Sequence, residues 1–313
     1  IGWCDWSSDV CSSDLELISV ISFVTDIEEN RKLYHCWRVA TISSLIAQDI
    51  VTIKKLKEIF YAASLFDIGG VGFPHHILYY LKRNDKASQN ILLSHPIIGA
   101  QLISNIPKLT PVAKLILDHH EWINGQGYPR AKTKKNIPLG SQIIRLADSI
   151  DIAMQTKHFH KLSELKTYLG ENVNKEFSKI LFNHCMQVLG NKNIFNRLSD
   201  SHTIPEIFNE TREKVGLINV PRRIDAVGNT LEIISQIIDM KHPYTSGHSL
   251  RVSRYAMSIA LAMNMDHEQI TKIKWAGLIH DLGKVTLPRR ILDKAEKLTP
   301  EEYIRVKQHA GLT

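Results

Sequence analysis

The sequence predicts an all-α protein, on three observations. Apolar residues recur at three- and four-residue spacing over long stretches. Strand-like alternation bounded by turn pairs is hard to find. The 16 glycines and 11 prolines in 313 residues fall below the usual shares of about 7% and 5%. With 43% hydrophobic and 23% charged residues, the composition supports packed cores and excludes a disordered or low-complexity chain. The length suits two domains. A net charge of +7 favours anionic partners without pointing to a nucleic-acid polymer. The longest apolar stretch, Leu17–Val24, is far short of the ~18 residues of a membrane helix, so no span and a cytoplasmic location are expected.

In chain order, residues 1–15 stand apart. Asp5–Leu15 reads as the translation of a common sequencing-adapter stretch and has neither the charged start nor the apolar run of a signal peptide. Residues 1–15 are therefore expected to be an adapter-derived artefact, with native sequence from about Glu16. Cys4 and Cys11 fall in that segment. Cys36 and Cys185 remain, with no zinc-type spacing and no disulfide framework, as in a reducing compartment. Helical periodicity then covers Val39–Ile50, Ile59–Phe66, Val112–Leu117 and Leu162–Leu189. Asn124-Gly125 and Gly127-Tyr128-Pro129 mark an irregular loop. Thr299-Pro300-Glu301-Glu302 is a helix start, with Thr as cap, Pro at the first position and Glu three residues on.

An internal repeat of long period runs through this pattern. His35-x-x-Arg38-Val39 matches His248-x-x-Arg251-Val252. Phe66-Asp67-Ile-Gly69-Gly70 matches His280-Asp281-Leu-Gly283-Lys284, and Pro74-x-x-Ile77-Leu78 matches Pro288-x-x-Ile291-Leu292. His95 and His309 each lie 28 residues after the shared aspartate. The expected organisation is a first copy over 16–160, a helical connection over 161–225 and a second copy over 226–313. The second copy stops at Thr313, short of the partners of the later first-copy residues, and is expected to be truncated.

The first copy offers His35, Asp67, His95, His119, His120 and Asp148; the second offers His248, His280, Asp281 and His309. Histidines and aspartates from separate helices converging in a bundle build metal sites. Recurrence at matched intervals is not expected of unrelated surface histidines. Mixed imidazole and carboxylate ligation suits Fe, Mn, Ni or Zn.

The motifs His248-Ser-Leu-Arg-Val, His280-Asp281-Leu-Gly283-Lys284 and His119-His120-Glu121-Trp-Ile-Asn-Gly125-Gln-Gly127-Tyr128-Pro129, followed by Leu-Ala147-Asp148, resemble the HD-GYP branch of the HD-type phosphohydrolases, here in tandem. The resemblance implies helical bundles that hydrolyse cyclic di-GMP with two transition-metal ions, usually Fe or Mn, per intact site. It places His248, His280, Asp281 and His309 as ligands, Asp281 bridging the ions, with Lys284 near a phosphate oxygen. In the first copy it places His35, Asp67, His95, His119, His120 and Asp148 at ligand positions. Gly125, Gly127, Tyr128 and Pro129 fall in the signature loop, which the family links to contacts with GGDEF-type cyclase domains.

The departures qualify this. Phe66 stands where the motif has histidine, and Gly70 where it has lysine. The first copy is thus expected to be degenerate and to hold at most one ion; the alternative is that Phe66 packs in a core that has lost its site. Tyr244 and Arg31, four residues before the first histidines, are not carboxylates, which argues against a third ion. Arg130, Lys132, Lys134 and Lys135 would attract a nucleotide or form a solvated face, and Trp122 would stack on a base or pack under the loop. His75, His76, His158 and His160 read as surface residues, and Asp151 as a weaker ligand candidate than Asp148. The expected function is cyclic di-GMP hydrolysis in the full-length protein, the chain ending at Thr313 being inactive by itself. The alternatives are hydrolysis of another nucleotide or phosphoester, or a non-catalytic module that recruits a cyclase.

Overall fold

The computed structural model describes residues 34–70, 85–106, 109–157, 161–216, 247–287 and 289–312, with 22, 159, 228, 231–232, 234–236 and 238–239 besides. Among the described residues the chain is helical, with two isolated β-bridges and no strand. This is the all-α architecture that the spacing predicts. Arg31, His75, His76, His158, His160 and Tyr244 lie outside the described residues.

The first copy contains α1 (His35–Ala47), α2 (Ile53–Leu65), a short 3-10 turn (Ile68–Gly70), α3 (Lys86–Ser104), α4 (Thr110–Leu117) and α5 (Leu139–Lys157). Then come α6 (Leu162–Gly170), α7 (Lys179–Leu189), α8 (Lys192–Ser199) and α9 (Ile204–Val215). Polar caps start several of these. Asp85 accepts from Ser88 N at 2.9 Å, and Ser178 from Leu181 N at 3.3 Å, each satisfying a first-turn amide that has no partner within its helix. The Leu162–Leu189 run is two helices. Asn174 adopts a left-handed φ of 65° in the turn between them, where Ser178 restarts the chain.

α1 is the centre of the bundle and packs against α2, α5, α7 and α9. Its Val39, Ile42 and Ile46 are fully buried, with Phe60, Ile116, Ile143 and Phe208 in the same core. The segment after α5 is therefore built into the first bundle. Trp37 of α1 stacks on Phe208 of α9 at 4.6 Å and 7°, Phe208 stacks on Phe60 of α2 at 5.5 Å, and His184 Nε2 reaches the carbonyl of Ile46 at 2.9 Å.

The second copy repeats the start of this plan. It has α10 (His248–Ala262), α11 (His267–Ile279), a 3-10 turn (Leu282–Thr286), α12 (Arg289–Leu292) and α13 (Pro300–Leu312). Thr299 Oγ1 accepts from Glu302 N while Glu302 Oε2 accepts from Thr299 N, the reciprocal cap that the sequence predicts for α13. α1 and α10 both follow a residue with positive φ, Tyr34 at 71° and Gly247 at 67°. One backbone contact recurs as well. A Cβ on Gly69 would lie 2.1 Å from the carbonyl oxygen of His95, and one on Gly283 2.1 Å from that of His309. Only glycine lets the 3-10 turn approach the histidine helix so closely.

The copies differ in cover. Ile42 and Ile46 of α1 are 0% exposed, whereas their counterparts Tyr255 and Ile259 on α10 are 67% and 61% exposed.

Candidate metal centres

Each copy gathers its candidates around one aspartate at the end of the second helix. In the first copy, Asp67 Oδ1 lies 3.5 Å from His95 Nε2 and 3.9 Å from His119 Nε2, and Asp67 Oδ2 lies 3.7 Å from His35 Nε2. The coordinating atoms of Asp67, His95, His119 and His120 fall within 4.8 Å of one another, all four residues buried. Asp148 Oδ1 of α5 stands 3.5 Å from His35 Nε2 on the other side of Asp67. In the second copy, Asp281 Oδ1 lies 3.5 Å from His309 Nε2, and Asp281 Oδ2 lies 3.8 Å from His248 Nε2 and 3.3 Å from His280 Nε2. Lys284 Nζ donates to Asp281 Oδ2 at 2.6 Å. The corresponding distances agree to about 0.1 Å between copies with very different side-chain burial.

One local device aims most of these rings. The Nδ1 of His95, His119, His280 and His309 each faces the carbonyl three residues earlier, on Leu92, Ile116, Gly277 and Val306. A carbonyl only accepts, so Nδ1 donates its proton there and Nε2 is turned toward the aspartate. At His95 the chain supplies an available carbonyl. Pro96 has no amide hydrogen, so the carbonyl of Leu92 loses its helical partner and takes the imidazole instead, at 2.8 Å. Burial pushes His119 down to about 3 and His120 well below its usual value, which keeps both neutral as ligation requires.

His35 is oriented differently. Its Nδ1 meets Asp151 Oδ2 at 2.6 Å, and Arg38 clasps the same carboxylate. Burial works against charge on His35, but the hydrogen bond to Asp151 and the charges of Asp151, Asp148 and Asp67 outweigh it and push its pKa up to about 9. Burial alone would raise Asp151; Arg38 and His35 hold it down at about 2. Asp151, the weaker ligand candidate by sequence, is thus the outer carboxylate that aims His35 at Asp67 and Asp148.

Phe66 keeps the ring and loses the nitrogen. Its centroid is 5.4 Å from that of His35 at 65°, while His280 in the second copy is 5.2 Å from His248 at 61°. Phe66 also packs edge-on to His119 at 5.1 Å.

The signature loop folds against this site. Tyr128 stacks on His120 with centroids 4.6 Å apart, its amide donates to the carbonyl of His120 at 3.1 Å, and its Oη is buried without a hydrogen-bond partner among the described residues. Gly125 has a φ of 81°, and a Cβ on Gly127 would strike Trp122 N at 2.2 Å. Pro129 follows Tyr128 through a cis bond. Two buried carboxylates clamp the loop's far side. Glu121 accepts the amides of Arg130 and Lys132 at 2.6 and 2.7 Å, and Asp118 accepts the Arg130 guanidinium and, at 2.8 Å, Lys132 Nζ. Arg130 and Lys132 are therefore tied to buried carboxylates, Arg130 while still exposed, and Lys134 and Lys135 are exposed beside them. Trp122 is half-buried.

Arg145 of α5 was not among the sequence candidates. Its Nη1 lies 2.9 Å from Asp148 Oδ2 and 3.2 Å from His120 Nδ1. Its Nε and Nη2 donate to Glu176 Oε2 at 2.9 and 2.6 Å. Glu176 sits in the turn between α6 and α7, whose backbone also pairs with the loop at Ile123 and Asn124.

The donor chemistry fits a divalent transition-metal ion in both copies, with imidazoles gathered on a carboxylate that has a second oxygen to share. No described helix is long and apolar enough to cross a membrane.

A family model described as HD domain matches residues 26–166 and 232–313. Among curated proteins, the chain is 27% identical over 233 residues to a 3'3'-cGAMP-specific phosphodiesterase of Vibrio cholerae, covering 74% of this chain and 49% of that protein. It is 33% identical over 160 residues to a cyclic di-GMP phosphodiesterase of Thermotoga maritima, covering 50% of this chain and 43% of the relative. The chain thus spans about half the length of these relatives. A crystal structure of a cyclic GMP-AMP specific phosphodiesterase of V. cholerae shares the fold, with a TM-score of 0.69 at 24% identity over 95% of this chain and 77% of that one.

Proposed function

The chain belongs to the HD domain family, and we propose that the protein it represents is a metal-dependent phosphohydrolase of cyclic dinucleotides, cyclic di-GMP or a 3'3'-cGAMP-type relative. The observation that carries this reading is the pair of aspartate-centred clusters, each with its aspartate 3.5 Å from the histidine of a later helix. The names of the relatives, cyclic di-GMP and cGAMP phosphodiesterases, support the substrate class.

Residues 16–160 and 226–313 are read as the two copies, with 161–225 as their connection. His248, His280, Asp281 and His309 would hold ions in the second copy. Asp67, His95, His119 and His120 would hold one in the first, and His35 and Asp148 lack the histidine that Phe66 replaces. Fe or Mn suits these donors, and such ions supply charge neutralisation at phosphate and a nucleophile at neutral pH. The second copy supplies the chemistry's protein groups. Asp281 orients the imidazoles around it, and Lys284, paired to its Oδ2, is the cation placed to meet a phosphate oxygen. The first copy has Gly70 there and no such charge.

Steady-state hydrolysis of both nucleotides by the full-length, manganese-loaded protein tests the division. Asp281→Ala should take turnover to background, and Asp67→Ala should leave most of it. Equal losses from the two substitutions would overturn the assignment.

A further inference from the structure

A cavity of about 390 Å³ opens between α6 and α7, and no residue of either aspartate cluster lines it. Its apolar lining is Val173, in the turn between the helices, and Phe182 of α7, which stacks on Phe177 at 5.8 Å. Lys166 of α6 and Lys179, the first residue of α7, line it as well. Both lysines are exposed, and neither has an ion-pair partner among the described residues. Other lysines of the first copy are matched: Lys55 Nζ lies 2.6 Å from Glu58 Oε2, and Lys132 Nζ 2.8 Å from Asp118 Oδ2. Asn183 adds an amide that both donates and accepts. Gly170, the last residue of α6, faces the opening, and a Cβ there would meet nothing within 4 Å.

We propose that this cleft binds a nucleoside monophosphate, its phosphate between Lys166 and Lys179 and its base against Val173 and Phe182. Two unmatched ammonium groups on one small cavity favour an anion. A free phosphate would leave Val173 and Phe182 uncovered, and a purely apolar ligand would leave the lysines unmatched, so the ligand carries both an anionic end and an apolar face. The volume lies toward the lower end of the ~300–1,000 Å³ of small-molecule sites. The hydrogen-bonding edge of a base suits the Asn183 amide, which can donate and accept at once. The proposed hydrolysis supplies such a molecule, since two waters that open both phosphodiester bonds turn a cyclic dinucleotide into two nucleoside monophosphates. The choice of a nucleotide rests on that reading; the cavity and its charge do not. Of the lining residues only Lys166 falls within the segments that match the family model, 26–166 and 232–313, so the cleft belongs to the connection and not to the shared domain.

Equilibrium dialysis of GMP, guanosine and inorganic phosphate against the whole chain, stripped of metal so that no contact runs through an ion, tests this. GMP should bind saturably, and guanosine and phosphate should each bind about tenfold or more weakly, because each keeps only part of the contacts. Lys166→Met with Lys179→Met should weaken GMP by about tenfold and leave guanosine unchanged. Gly170→Phe places a side chain in the opening without entering the packed core, so it should abolish GMP binding with the urea midpoint unmoved. Absence of saturable GMP binding overturns the proposal. Phosphate bound as tightly as GMP would mean an anion site with no place for a base, and overturns it too. So does a GMP affinity that neither the lysine pair nor Gly170→Phe changes, since the nucleotide would then lie elsewhere. The assay involves no turnover. A full-length protein that binds GMP here but hydrolyses no cyclic dinucleotide would refute the functional reading alone, and one that hydrolyses but does not bind would refute this site alone.

Discussion

Phe66 and His280 hold their rings in nearly the same place relative to the first histidine of their copies, so the substitution removes a ligand atom without disturbing the packing. Restoring the nitrogen should then restore a coordination position. Phe66→His, in a protein whose second copy is silenced by Asp281→Asn, should raise the first copy's ion content from one toward two. Metal analysis after anaerobic purification checks this, and an unchanged count would mean that His35, Asp67 and Asp148 do not share an ion. Adding Gly70→Lys supplies the cation that the first copy lacks and is the fairer test of regained hydrolysis. The sequence made these residues legible because they recur at fixed intervals in two copies. Arg38 was half-legible, since Arg251 repeats it, and Asp151 lies one helical turn from Asp148 on the same face. Arg145 and Glu176 were not, because a contact spanning 31 residues between a helix and a distant turn leaves no mark on local spacing. The roles of Arg130 and Lys132 were hidden for the same reason. A basic run looks solvated until Asp118 and Glu121 are seen beneath it.

α1 and α10 share a sequence pattern and occupy different surroundings. Ile46 is enclosed by the core, whereas Ile259 stands at the surface. Ile46→Ala should cost on the order of 2–5 kcal/mol through lost burial and the cavity left behind. Ile259→Ala should stay within about 0.5 kcal/mol, as substitutions at exposed sites do. Urea midpoints for the two variants distinguish these outcomes, and comparable losses would mean that α10 is covered in solution. Periodicity reports that a helix has an apolar face but cannot report what lies on that face, so this contrast was invisible to the sequence. Nor could it separate α6 from α7, because apolar spacing resumes in phase after the turn at Asn174. The cap at Thr299 was legible, since its bonds join residues three apart.

The first bundle and the segment following it form a single packed body. The stack of Trp37, Phe208 and Phe60 joins α9 to α1 and α2. Phe208→Ala should cost about 3–5 kcal/mol, and it should lower the unfolding transition of the whole first bundle, not of α9 alone. Calorimetry or urea unfolding followed at Trp37 reads this out; an early, separate loss of 161–216 with the Trp37 signal unchanged would show the segment to be an independent unit.

The two clusters also differ in how an ion would come and go. His95 and His119 are 0% exposed, while His309, His280 and His248 are 21%, 34% and 38% exposed at the side chain. A chelator can meet an ion in the second copy directly, but in the first it must wait for the helices to open. Release should therefore be biphasic after rapid mixing with excess chelator, the first copy losing its ion roughly tenfold or more slowly for every 1.4 kcal/mol that such an opening costs. A single phase, with both copies emptied together, would contradict this. If each cluster takes up an ion as proposed, the first copy of this chain would keep its ion through a brief metal shortage that would empty the second.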